Sequence, residues 1–152
     1  MPPVGWRGFF MTDFNMYRNL LPDVATAAAL AAGTAWLFNG RILYHLGHRG
    51  LGWVTPLVEE AAKTLWAVIL EAPILWTHIG FGVIEALVEV RRRGAGGLSA
   101  GGAALTAHGL FGLVTVLISS ITGLWPAVAL AYLAHAAWNL AIIYAARRLT
   151  ER

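Results

Sequence analysis

Apolar residues dominate five stretches of this chain, about 24–44, 54–70, 74–90, 99–119 and 124–146, and polar residues gather in the short connections between them. A helix needs roughly 20 apolar residues to cross a bilayer, with a range of about 17 to 25, so each stretch predicts one membrane-spanning helix. The second and third are separated only by Glu71-Ala72-Pro73. Pro73 cannot continue a helix from Leu70 without losing a backbone hydrogen bond, and it suits the start of a new one. These two stretches therefore read as a tight helical hairpin, with a single bent helix over 54–90 as the alternative. Glu71, in the turn, reads as a cap for the helix that follows.

Ahead of the first span, Trp6, Phe10, Phe14, Tyr17 and Leu21 recur at steps of three and four, with Arg7, Asp13, Arg18 and Asn19 between them. That spacing puts aromatic residues on one face and predicts an amphipathic helix lying in the membrane interface over 1–22. The segment lacks the basic start and short apolar core of a cleavable signal peptide. The pattern as a whole predicts an all-α membrane protein: an interfacial segment, then a single transmembrane domain over 23–148 built as a bundle of about five helices. No internal repeat stands out along the sequence.

Composition agrees with that medium. The 152 residues are 58% hydrophobic and 12% charged, and mean hydropathy is +0.63. A soluble domain is typically about half apolar and a quarter charged. The absence of cysteine excludes disulfides, thiolate nucleophiles and cysteine-ligated zinc. Net charge is +3, and the arginines are clustered in a way that reports topology rather than nucleic-acid binding. With five crossings, Arg41, Arg49, Arg91, Arg92, Arg93, Arg147, Arg148 and Arg152 fall on one side. The other side has Arg7 and Arg18, offset by Asp13 and Asp23, and then Glu71. The positive-inside rule puts the arginine-rich side in the cytoplasm, with the N-terminus outside and the C-terminus inside. The Ala-, Gly- and Arg-rich composition suggests a multi-pass protein of a prokaryotic plasma membrane.

Several ionisable residues fall within the apolar stretches, where they are costly and usually face the bundle interior. The second stretch holds Glu59, Glu60 and Lys63; the third holds His78 and Glu85, with Glu89 at its end; the fourth holds His108; the fifth holds His135 and Asn139. Counted from the predicted cytoplasmic ends at 1.5 Å per residue, those of the four helices fall in one layer roughly 8–14 Å deep, with His135 deeper. His78, near the outer end of its helix, is the exception and reads as an interfacial histidine. Glu59 and Glu60 both reach Lys63 at helical spacing, so one carboxylate can be neutralised locally. Gly80, Gly82, Gly109 and Gly112 allow close helix contact around such a cluster. The bland readings are a salt-bridged interfacial helix start for the first group and interhelical hydrogen bonding for His135 and Asn139.

In order, Glu59-Glu60-Ala61-Ala62-Lys63 fits E-E-x-x-K, Gly80 to Glu85 fits G-F-x-x-x-E, a helix with His108 follows, and His135-Ala136-Ala137-Trp138-Asn139 fits H-x-x-W-N. This set, spanning 55–146, resembles the PrsW family of intramembrane proteases, in the superfamily that includes the CAAX-prenyl endopeptidases and the scaffold subunit of gamma-secretase. Ala86 stands where the family often has Asn, and Gly112 where a polar residue is common. The resemblance implies an intramembrane endopeptidase acting on a membrane-anchored protein or peptide, with Glu59 activating water and Glu60 and Lys63 setting its ionisation. Glu85 and His108 would position that water, and His135 with Asn139 would donate to the oxyanion. No cofactor is needed for that scheme. The same residues could instead hold zinc through His108, His135 and Glu59 or Glu85, leaving an open position. Two rival readings remain: a non-catalytic scaffold, and a proton- or metal-coupled transporter, for which a homo-oligomer would have to supply the second half.

Overall fold

The computed structural model describes residues 14–150, with side chains over 20–148, so the 1–22 interfacial segment lies largely outside the described residues. The first described helix runs from Phe14 without a break into the first apolar stretch. Four helices follow one another: α1 (Phe14–Ile69), α2 (Ile74–Arg93), α3 (Gly97–Thr122) and α4 (Leu124–Thr150), with a single 3-10 turn, Gly94–Gly96, between α2 and α3. No strand occurs among the described residues.

Among the described residues, three helical stretches are long and apolar enough to cross a membrane: Leu20–Ile69, Ile74–Thr122 and Leu124–Arg148. The first two run 50 and 49 residues, more than twice the roughly 20 that one crossing needs. Each is interrupted. In α1 the break is Gly47, at φ 57° and ψ −148°. That backbone conformation is essentially reserved for glycine, because a Cβ would clash with the neighbouring peptide. Gly47 divides α1 into a first arm, 14–46, and a second arm, 48–69, that double back on each other. Trp66 Nε1 donates to Thr34 Oγ1 at 3.1 Å, and Asn39 Nδ2 donates to Glu59 Oε1 at 3.0 Å. Partners that move apart along the sequence in this way define an antiparallel pair.

The polar pattern predicts a loop over 41–53 and a second span from about 54, whereas helix resumes at His48. Arginine and histidine are tolerated in helices, so polarity alone does not end one there. The consequence is positional: Glu59, Glu60 and Lys63 sit in the middle of their helical arm rather than near an end. The hairpin at Glu71-Ala72-Pro73 does form. Glu71 adopts φ 54°, and Pro73 is the N-cap of α2, which has no side-chain cap, so Glu71 does not cap it as expected.

α2 lies between the first arm and α3, and the second arm of α1 packs on α4, which also meets α3. Close approach depends on small residues facing each other. A Cβ on Gly80 would lie 2.8 Å from Ala28 Cβ, and one on Gly101 would lie 3.0 Å from Ala86 Cα. The position where the resembled family often carries Asn is thus a tight helix crossing here. Gly82 and Gly112 face Leu105, His108 and His78, while Gly109 makes only ordinary contact.

The distribution of side chains is inverted relative to a water-soluble bundle. The buried apolar set is mostly alanine, among them Ala27, Ala31, Ala35, Ala67, Ala127 and Ala131, while Trp36, Tyr44, Leu87, Ile121 and Trp125 are exposed. The bulkiest fully buried side chains are Lys63, His78 and Glu60. Burying charge while exposing large apolar groups is stable only where the surroundings are themselves apolar. Gly47→Ala should cost roughly 1–3 kcal/mol from backbone strain alone, since a Cβ at that position would meet nothing within 4 Å. Gly33→Ala, in open space at ordinary φ, should be neutral or slightly stabilising. Thermal unfolding of the two variants in detergent separates these outcomes.

Candidate functional site

Glu60 is the centre of the buried polar cluster. Its Oε1 accepts from Lys63 Nζ at 2.6 Å and lies 2.8 Å from His135 Nδ1. Both Glu60 and Lys63 are fully buried. One turn of helix separates them, so the second arm of α1 places the ion pair by its own geometry. Lys63 reaches further, to His108 Nδ1 at 2.9 Å, and its ammonium lies 4.8 Å from the centre of the Phe81 ring. His108 Nε2 in turn meets Glu85 Oε2 at 2.6 Å.

The donors fix the tautomers. An ammonium can only donate, so His108 Nδ1 accepts from Lys63 and Nε2 carries the proton that Glu85 receives. A carboxylate paired with that ammonium can only accept, so His135 donates through Nδ1 to Glu60. In neutral His135 the Nε2 lone pair is then free, 3.8 Å from Glu59 Oε2. That separation is too long for a direct hydrogen bond and suits an atom bridging the two groups.

Glu59 faces this gap from one side, its Oε1 held by Asn39 and its side chain 10% exposed. Glu85 is the most open member, with a side chain 44% exposed. Aromatic rings wall the cluster: Phe111 stacks on His135 at 4.7 Å between centroids, and Phe81 meets the His108 ring edge-on at 4.9 Å. Outside Phe111 runs an apolar groove of about 270 Å³ between α3 and α4, lined by Gly102, Thr106, Leu110 and Trp138 among others.

Six of the seven candidate residues, Glu59, Glu60, Lys63, Glu85, His108 and His135, therefore meet in one cluster. Asn139 does not. Its Nδ2 donates to the backbone oxygen of Leu51 at 3.1 Å, tying α4 to the second arm of α1. Its expected place in the same layer depends on a later start for the second span than the helix actually has.

Two other residues do join. His78 is fully buried, with Nδ1 3.6 Å from Glu60 Oε2. Neither of its nitrogens, nor that oxygen, has a hydrogen-bond partner within the protein. The interfacial reading of His78 is thereby corrected, since counting from the helix end ignores which face it occupies. Gly112 explains its fit: a Cβ there would lie 2.7 Å from His78 Cβ. His78 thus fills the space left by a position that is commonly polar in the resembled family. Asn39, the second addition, has one sequence signal, an amide inside the first apolar stretch.

A metal ion would find Glu59, His108 and His135, whose ligand atoms all lie within 4.8 Å of one another. Glu59 and His135 have atoms free to ligate. His108 has none without giving up Lys63 or Glu85, and a dication there would adjoin the Lys63 ammonium. The donor set fits zinc poorly. No known family model matches this chain, and no curated protein or solved structure is similar to it.

Lys63→Met should destabilise the fold by about 3–5 kcal/mol, because it leaves Glu60 charged and unpaired in the interior. Glu60→Gln in the same chain should restore part of that loss. Denaturant titration in mixed micelles measures both steps.

Proposed function

We propose that the protein is an intramembrane endopeptidase in which Glu59 activates water for attack on a peptide bond of a membrane-anchored protein or peptide. The observation that carries this reading is the 3.8 Å gap between Glu59 Oε2 and the Nε2 of His135, beside the bonds that Glu60 Oε1 makes with Lys63 and His135. Of the two adjacent glutamates, Glu60 is fully buried, with Oε1 committed to Lys63 and His135 and Oε2 turned toward His78. Glu59 keeps an oxygen available to take a proton.

The sequence of events follows from these positions. Water between Glu59 and His135 loses a proton to Glu59 as its oxygen bonds the peptide carbonyl carbon. The carbonyl oxygen becomes an oxyanion, and the carbon–nitrogen bond then breaks with the Glu59 proton passing to the leaving amine. The Lys63 ammonium, held by Glu60 and His108, supplies positive potential beside the developing charge. Asn139 has no part in this scheme, because its amide is engaged on Leu51. The low fit of zinc to His108 favours a metal-free reaction.

The membrane setting supports the same reading. The three long apolar stretches, with breaks at Gly47 and Gly94–Gly96, are compatible with the five crossings proposed here. With five crossings most of the arginines share one side, and the positive-inside rule favours that side as cytoplasmic, with the C-terminus internal and the N-terminus external.

Purified protein in liposomes should cleave members of a library of fluorogenic transmembrane peptides. Glu59→Gln should abolish cleavage while leaving thermal stability near wild type, and a zinc chelator should have no effect on metal-free protein verified by elemental analysis. Absence of cleavage, with Glu59→Gln and Glu60→Gln assembling as wild type, would move a scaffolding role ahead. Chelator sensitivity reversed by zinc would overturn the metal-free mechanism alone.

A further inference from the structure

The first arm of α1 and α4 carry the same residue at several positions 100 apart, although no repeat stands out on reading the sequence. Ala27, Leu30, Ala31, Asn39, Ile42 and Tyr44 are matched by Ala127, Leu130, Ala131, Asn139, Ile142 and Tyr144. Burial repeats at four places, with Ala27, Ala28, Ala31 and Ala35 matching Ala127, Val128, Ala131 and His135, all buried, but not at the isoleucines, where Ile42 is buried and Ile142 exposed. Alanine-rich helices match one another cheaply, but the shared burial and the asparagine pair do not follow from composition.

Both helices flank the second arm of α1, the helix that carries Glu59, Glu60 and Lys63. Each applies its asparagine to that helix. Asn139 donates to the Leu51 backbone oxygen, and Asn39 donates to the Glu59 carboxylate. At position 35/135 the two differ, with alanine on one side and the Glu60-bound histidine on the other. The two glutamates are thus served from opposite flanks, Glu60 by α4 and Glu59 by the first arm.

We infer that Asn39 is a positioning residue for Glu59, fixing the carboxylate so that Oε1 is occupied and Oε2 faces His135 across the gap. This rests on Glu59 being the base that activates water. Three observations carry it: the 3.0 Å contact, the part-buried setting that spares the bond competition from bulk water, and the matching place of Asn39 and Asn139 on the two flanking helices. A carboxylate held by one oxygen cannot swing about its Cγ–Cδ bond without breaking that bond. Such immobilisation is what a base needs when reacting atoms must be aligned before attack. Asn39 lies outside 55–146, the segment that carries the family-like motifs, so a reading confined to that segment omits it.

The test combines two measurements on the full chain. In thermal unfolding in detergent, Asn39→Ala should lower the midpoint of wild type but have little effect in a Glu59→Leu background, where its acceptor is gone. Asn139→Ala, bonded elsewhere, should lower the midpoint equally in both backgrounds. In peptide cleavage, Asn39→Ala should reduce kcat about 10-fold or more with KM little changed, the size expected for losing one hydrogen bond to a charged group. Asn39→Ser serves the same purpose if Asn39→Ala fails to assemble. Equal midpoint shifts in both Glu59 backgrounds, or an unchanged kcat, would overturn the assignment. If wild type cleaves nothing, the peptidase reading falls, while the thermal cycle still judges the Asn39–Glu59 bond.

Discussion

The Glu60 carboxylate, shared between Lys63 and His135, is the contact on which the rest of the bundle depends. A charge in an apolar interior is costly, and its cost is offset only when every neighbour is placed to meet it. Here one oxygen receives an ammonium from its own helix and an imidazole from α4. The same ammonium then reaches α3 through His108, and His108 reaches α2 through Glu85. One buried ion pair thereby links the second arm of α1 to α4, α3 and α2, adding polar bonds to the close packing of small residues. Alanine faces permit this, since they bring the backbones close without fixing how far one helix slides along the next.

That arrangement gives the two adjacent glutamates different duties. Successive residues on a helix point about 100° apart, so Glu59 and Glu60 cannot share one environment. Glu60 turns into the closed network, while Glu59 turns toward the gap beside His135. His78 enters behind Glu60, in space that Gly112 leaves open, and backs the network from the α2 side. The chemistry proposed for Glu59 thus rests on Glu60 being occupied.

Much of this is legible in the sequence, for identifiable reasons. The apolar stretches reveal the helical character and the hairpin at Pro73, because length and proline geometry are local properties. The Glu60–Lys63 pair is legible because its spacing closes within one turn of helix. What sequence cannot supply is where a helix begins when glycine and arginine precede it: the break at Gly47 starts the second arm earlier and displaces the depth expected for Glu59. The same displacement draws Asn139 into the expected cluster, while His78 is missed because depth along its own helix does not tell which face it occupies. Asn39 escapes notice because a lone amide in an apolar stretch carries no motif, and its role depends on a fold-back that only the antiparallel arms create.

The inverted distribution of side chains has an effect on how such a chain can diverge. Outward residues such as Trp36, Leu87, Ile121 and Trp125 are exposed, and in a bilayer one large apolar side chain at such a place is nearly as acceptable as another. Drift over that shell carries little penalty, while change at the few inward polar positions disturbs a network in which each group needs its partner. Overall similarity between two chains built this way can fade to nothing while a short set of interior letters persists. Kinship among them would be written in the spacing of a few polar residues and be nearly silent over the rest of the sequence.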